Sequence, residues 1–393
     1  MLIIESLIVY TLLAFLMYKF AQLGEQKTRM QPIYNALPII LFTLVFGLRY
    51  SVGVDWENYQ WIYEEELANL QWNEITTYYY EPAFCLFVYI CHMLSLPVYV
   101  FFSVYSLLQI SLLYATFKKT NPEVIKYIYV ALIFTGIAIT DFTNAIRQHL
   151  AVCFFMYAMT FLPEKKYFKY WLFCIFAYLC HRSAIIVFPL CFIWMKRSDI
   201  FRHPIIQCVI LLLCFISTFF DVIPLILNFT ASLIALIGYG NYLDGVSELT
   251  FDKQLGISRY IELLSLLFII LFSNDMKKYF KSDFFNMIYA LFFMGLCCKY
   301  LFLGSMLFRR ISLYFIDYYF VIYGYALAYF AATFKTQVKN LVGAACIYLS
   351  LFVLYAKQII YCESSTGAYV SFFQEDLHEL KEEQRAELLS NMN

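Results

Sequence analysis

Residues 97–117 read PVYVFFSVYSLLQISLLYATF, a run without a charge that stops at Lys118-Lys119. A helix rises 1.5 Å per residue, so a run of this length crosses the hydrocarbon core of a bilayer, about 30 Å thick. The pattern recurs along the chain, at 2–20, 33–48, 124–140, 145–162, 167–180, 184–195, 205–223, 257–273, 284–303, 311–330 and 341–361. Hydrophobic residues make up 62% of the 393 and charged residues 14%, against roughly a quarter charged in soluble domains, and the mean hydropathy is +0.68. The expected fold class is all-α, a polytopic membrane protein with about 12 transmembrane helices. Two further apolar stretches, 82–94 and 224–237, are short and open with proline, which suits re-entrant or interfacial segments. The first run has no basic leader and no small-residue cleavage site, so it is expected to remain as a span. A single membrane domain over 1–373 and a charged, helix-prone tail over 374–393 complete the expected organisation. Zero net charge argues against nucleic acid as a partner. Most cysteines lie inside apolar runs, where they act as small hydrophobes, and no CxxC pair with a matching His cluster calls for a metal.

Lys and Arg in short loops orient such a chain. With both proline-led stretches re-entrant, the clusters at Lys27/Arg29, Lys118/Lys119/Lys126, Lys165/Lys166/Lys169, Lys196/Arg197/Arg202, Lys277/Lys278/Lys281 and Lys335/Lys339 all fall on one side, the cytoplasm. The opposite loops differ in kind. Residues 49–81 carry Arg49 against Asp55, Glu57, Glu64, Glu65, Glu66, Glu74 and Glu81, with Trp56, Tyr59, Trp61, Tyr63, Trp72 and Tyr78–Tyr80 among them. Loop 238–256 adds Asp244, Glu248, Asp252 and Lys253. Rings stack on sugar faces and carboxylates accept hydroxyl protons, so this face suits a carbohydrate. For any one aromatic, an interfacial belt is the plainer reading, and Glu57 and Glu64–Glu66 are expected to be solvated.

Charges at span ends are costly and so become functional candidates. They gather on the non-cytoplasmic side: Arg49, Asp55 and Tyr59, then Glu81, then Asp141, Asn144, Arg147 and Gln148. On one continuous helix the last four would share an arc of about 120°. His181-Arg182-Ser183 forms a tight turn, and Lys299, Arg309 and Arg310 follow late in the chain. Arginines there run against the positive-inside bias. A planar guanidinium matches phosphate oxygens, so the cluster suggests a diphosphate headgroup at membrane depth. Plainer roles exist: Asp141 as cap of the helix carrying Arg147, Arg182 snorkelling to the interface, His181 donating to a carbonyl.

Five blocks, LRYSVGVDW at 48–56, YEPAF at 80–84, FTNAIRQ at 142–148, CHRSA at 180–184 and LFRRISLYF at 307–315, together resemble the EpsG family in order and spacing. The resemblance covers about residues 40 to 320. It departs at Val54, where the family commonly has a small residue, and at Tyr369–Phe373, where a Tyr-Pro-Tyr-like ending is usual. It implies a bacterial polysaccharide polymerase related to Wzy-type O-antigen polymerases, GT-C-like in architecture, in the cytoplasmic membrane with its site facing outward. The implied partners are polyprenyl-diphosphate-linked oligosaccharides, membrane lipid and a chain-length regulator protein. Glycosyl transfer with a diphosphate leaving group needs charge stabilisation, a base and exclusion of water. Arg147 and Arg310 are the first candidates for the diphosphate, then Arg49 and Arg309, with Tyr59, Asn144 and Gln148 as further substrate contacts. His181, Asp55 and Glu81 are candidate bases, His181 foremost. With arginines present, no cofactor or metal is required. Other readings are an outer-face O-antigen ligase-like transferase and a lipid-linked oligosaccharide flippase.

Overall fold

The computed structural model describes residues 2–189, 203–220, 256–303, 305–360 and 368–390. They are helical apart from turns and one isolated antiparallel bridge, and the chain divides into two compact units, Met1–Arg182 with Leu351–Asn393, and Ser183–Ser350. The described part of the tail is grouped with the first unit.

The first unit contains α1 (Leu2–Gly24), α2 (Gln31–Gly47), α3 (Trp56–Trp61), α4 (Pro82–Met93), α5 (Val98–Thr120), α6 (Ile125–Phe134), α7 (Ile137–Asn144), α8 (Ile146–Met159) and α9 (Tyr167–Cys180). Helix α2 lies along α5, α8 along α9, and α1 against both α2 and α6. Helix α1 is apolar around its whole circumference: Tyr10, Leu13 and Met17 are buried while Ile4, Ile8, Leu12 and Phe15 stay exposed. Such a helix is stable only where lipid takes up the second face.

At 12 residues α4 is about 18 Å long, too short to cross. Both its ends meet the same loop: Tyr80 packs on Phe84, Tyr63 Oη donates to Leu96 O at 2.6 Å, and His92 Nε2 lies 2.8 Å from Tyr63 O. Helix α4 is thus tied at both ends to the 56–80 loop, as a short apolar helix that is either re-entrant or interfacial would be.

Helices α6 and α7 meet at a 76° bend at Gly136, whose φ of +81° lies in the left-handed region. Helix α7 then stops at Asn144, Ala145 (φ −84°, ψ 55°) breaks the chain, and α8 begins afresh. This corrects two expectations. Asp141 and Asn144 sit on one helix and Arg147 and Gln148 on the next, so the four share no single helical face. The cap position of α8 is Ala145, so Asp141 does not cap it.

The second unit holds α10 (Pro204–Ile216), α11 (Ile257–Leu271), α12 (Ser273–Phe280), α13 (Asp283–Leu301), α14 (Met306–Ile316), α15 (Tyr318–Thr333) and the first part of α16 (Val338–Ile360). Helix α13 packs on α10, α14 and α15, and the run Tyr318–Phe330 of α15 is buried throughout. Glu262 on α11 is buried and paired with Lys299 of α13, and Ser265 bonds Ser350 at 2.9 Å.

Among the described residues five helices are long and apolar enough to span a membrane, or up to seven if each bent pair, α6–α7 and α11–α12, is one span. These helices make the chain a multi-pass membrane protein, and among the described residues they do not reach the twelve spans expected. Several expected spans form shorter helices: 145–162 and 167–180 yield 14 residues each, about 21 Å. Residues 190–195, the stretch 224–237 and loop 238–256 up to residue 255, with Asp244, Glu248, Asp252 and Lys253, lie outside the described residues.

Candidate functional site

Arg49 follows the end of α2 and is 1% exposed. Its guanidinium donates to Phe46 O, to Val52 O at 3.2 Å and to Thr143 O at 3.2 Å, and lies 4.6 Å over the Phe102 ring. These carbonyls consume the fork that the sequence offered to phosphate. Arg49 instead ties the end of α2 to the end of α7.

The loop beyond it is tightly constrained. Gly53 has a φ of +107°, and a Cβ there would come within 2.7 Å of Asn144 Oδ1 and 3.2 Å of Thr143 O. Only glycine lets the loop lie this close to α7. Asn144 Oδ1 accepts from Val54 N–H at 2.6 Å, so this candidate ligand residue is engaged in holding the loop. The Val54 side chain is half exposed, which is why a larger residue fits there. Asp55 immediately precedes α3, and its carbonyl accepts from Tyr59 N–H at 3.0 Å, placing Asp55 and Tyr59 one helical turn apart on one face.

Glu81, at the N-cap position of α4, pairs with Arg147 from the first turn of α8 at 2.5 Å. Its other oxygen accepts from the backbone N–H of Arg182 at 3.5 Å. The Arg147 guanidinium is 5.0 Å from the Tyr80 ring, 5.0 Å from Phe84 and 5.9 Å from Tyr59, within cation–π range of all three. Glu66 fixes one wall by accepting from Tyr80 Oη at 2.8 Å and Tyr78 Oη at 3.4 Å, so it is not merely solvated. One donor of Arg147 is left over: Nε is buried without a hydrogen-bond partner. A buried orphan donor calls for an explanation, and a ligand oxygen is one. Burial raises the Tyr59 hydroxyl pKa, with Asp55 and Glu81 adding to the rise and Arg147 opposing it. Asp55, Glu81 and Arg147 therefore all act on one hydroxyl.

His181 follows α9 in extended conformation, half-buried, directly before the Arg182 amide that meets Glu81. The first unit thus gathers Tyr59, Glu81, Arg147 and the His181–Arg182 turn, with Asp55 beside Tyr59. Gln148 is buried, at 2% exposure, in α8. Arg310 is exposed on α14 of the second unit, and the side chain of Arg309 lies outside the described residues. The loop's carboxylates and rings were visible in the sequence. What sequence reasoning missed is the aromatic cage around Arg147 and the tail. The adjacency Tyr80-Glu81 was the one available signal for the cage. For the tail, Tyr369 N–H donates to Ser6 Oγ at 2.6 Å, Tyr50 N–H to Val370 O at 2.8 Å and Phe372 N–H to Leu48 O at 2.9 Å.

The family model described as the EpsG family matches residues 33–372. Comparisons with curated proteins and with solved structures give no match.

Proposed function

The chain belongs to the EpsG family, whose members are membrane proteins of polysaccharide biosynthesis, and we propose that it is a polymerase. It joins polyprenyl-diphosphate-linked oligosaccharide units by glycosyl transfer at the outer face of the bacterial cytoplasmic membrane. The observation that carries this reading is the caged Arg147 guanidinium, held by Glu81 and three rings with Nε left over. Such a group can take one oxygen of a diphosphate without rearranging its pair. As the anomeric carbon–oxygen bond breaks, charge grows on that oxygen, and a preorganised donor in a dry site stabilises it. Glu81 keeps the fork in place and is a positioning residue, since both its oxygens already accept hydrogen bonds. The attacking hydroxyl gives its proton to Asp55 or His181, the two candidates outside that pair. Tyr78 and Tyr80, which are not buried, offer faces on which sugar rings stack.

The test is the length of the glycan made by cells carrying Arg147→Ala at normal protein level. Collapse of the ladder to single repeat units supports the reading, and an unchanged ladder removes Arg147 from the site. Loss of all surface glycan, single units included, favours export or ligation instead.

A further inference from the structure

After its strap at 368–373 the chain forms α17 (His378–Ser390), which lies on the loop that carries Asp55. Arg385 of α17 is 7% exposed although its helix is highly polar. Its guanidinium donates to Ser51 Oγ at 3.4 Å, Gly53 O at 3.1 Å and Val54 O at 2.8 Å, and its Nε sits 2.7 Å from a Glu57 carboxylate oxygen. Three acceptors and one paired carboxylate, spread over residues 51–57, converge on one side chain. Around it Lys381 Nζ donates to Ala368 O at 2.6 Å, Tyr50 Oη donates to Glu382, and the His378 ring stacks on Tyr50 at 3.5 Å and 7°. Glu57 is therefore paired with the tail, not merely solvated as expected.

Val54 is gripped on both sides. Asn144 takes its N–H at 2.6 Å from α7, and Arg385 takes its C=O at 2.8 Å from α17. The next residue is Asp55. Its backbone direction is set where these two grips meet, and its turn contains Ser51 (φ +49°) and Gly53 (φ +107°), conformations that a loose loop would not hold. A guanidinium suits this task because its planar fork reaches several carbonyls at once, which an ammonium cannot do.

We propose that the carboxy-terminal strap and helix are part of the site, and that Arg385 is a positioning residue that orients Asp55 for proton abstraction. This rests on the polymerase reading above. The tail then couples its own docking to catalysis. A chain that lacks α17 retains the Arg147 cage and lacks an oriented base.

The test is a kinetic cycle on the full-length purified protein, with a lipid-diphosphate-linked repeat unit as substrate. The variants are Arg385→Lys, Asp55→Asn, their combination, and Arg147→Ala. Arg385→Lys is expected to lower kcat at least tenfold with KM and melting temperature near the parent's. In the Asp55→Asn background it should lower kcat no further, because a residue acting through another adds nothing once that other is gone. A merely structural clamp would instead multiply the two losses. Multiplying losses, or an unchanged kcat in Arg385→Lys, would overturn the proposal while Arg147→Ala still abolishes polymerisation. If Arg147→Ala polymerises normally, Arg147 leaves the site, and if the parent protein makes no polymer from this substrate, the polymerase reading itself fails. Should Arg385→Lys not fold, Glu57→Gln loosens the same clamp from the exposed side. It should lower kcat about threefold, and an unchanged kcat there overturns the proposal.

Discussion

Changing Glu81 to Gln strands Arg147 as a buried cation. The two side chains are 10% and 20% exposed, so the pair is mostly out of water. Severing a buried pair costs about 3–5 kcal/mol, and the ring faces of Tyr59, Tyr80 and Phe84, with some residual water, hold this near about 3 kcal/mol. In a unit of this size each kcal/mol moves the melting temperature by about 2–4 °C, so the midpoint should fall by about 6–12 °C. Arg147→Met strands Glu81 at similar cost. The double variant removes both charges, and its midpoint should lie above the sum of the two losses by a coupling of about 2 kcal/mol. The assay is thermal unfolding of the four proteins purified in one detergent, beside glycan ladders from matched cells. Polymerisation should stay lost in both variants that lack Arg147, even where stability returns. Additive midpoints would refute the coupled pair, and a ladder restored in the double variant would refute a role for Arg147 in the chemistry.

Three further outcomes follow from the same geometry. Arg49→Ala strips charge-assisted hydrogen bonds from three carbonyls and should cost about 3 kcal/mol or more, seen as a lower melting temperature. An unchanged midpoint with a lost ladder would return Arg49 to the ligand. Gly53→Ala forces a side chain onto Asn144 at an unfavourable φ and should cost about 1–3 kcal/mol, with faster hydrogen exchange in residues 51–57 as the readout. The Tyr50 hydroxyl is pushed up to about 12, first by burial and then by its hydrogen bond to Glu382. A raised acid keeps its proton in the folded state. Its contribution to tail docking is therefore complete below the unfolded value of about 10 and is lost as pH climbs from there towards 12. Exchange protection of α17 should fall across that window, and Tyr50→Phe should abolish the step.

The membrane character was legible because composition alone decides it: with 14% charged residues the chain cannot cover a soluble surface. The shortness of α4 was legible from the apolar run at 82–94 and its leading proline. The break at Ala145 was not. The apolar runs at 124–140 and 145–162 part the chain nearby, but they put Asn144 outside a helix and nothing local to Ala145 announces a ψ of 55°. The break follows from tertiary demands, since Arg49 and Gly53 both draw on Thr143 and Asn144 just before it.

Arg49 and Arg147 set the limit of such reading. Each is a costly charge at a helix end, and cost alone made both candidates for one ligand. A guanidinium must find acceptors, but its sequence does not say whose. Arg49 finds carbonyls, one of them from Thr143, and has no further use for a phosphate. Arg147 finds one carboxylate and three rings, and keeps a buried N–H. Arg147 thus differs from Arg49 by a donor left unsatisfied after folding, a quantity that exists only once distant segments have met. Arg385 shows the converse. In a charged tail it read as one surface residue among many, and its three acceptors and its paired carboxylate lie more than 320 residues away in the chain. The loop at 49–57 is therefore held by the far end of the polypeptide, and a reading that weighs each segment by its own composition discounts the segment that holds the other in place.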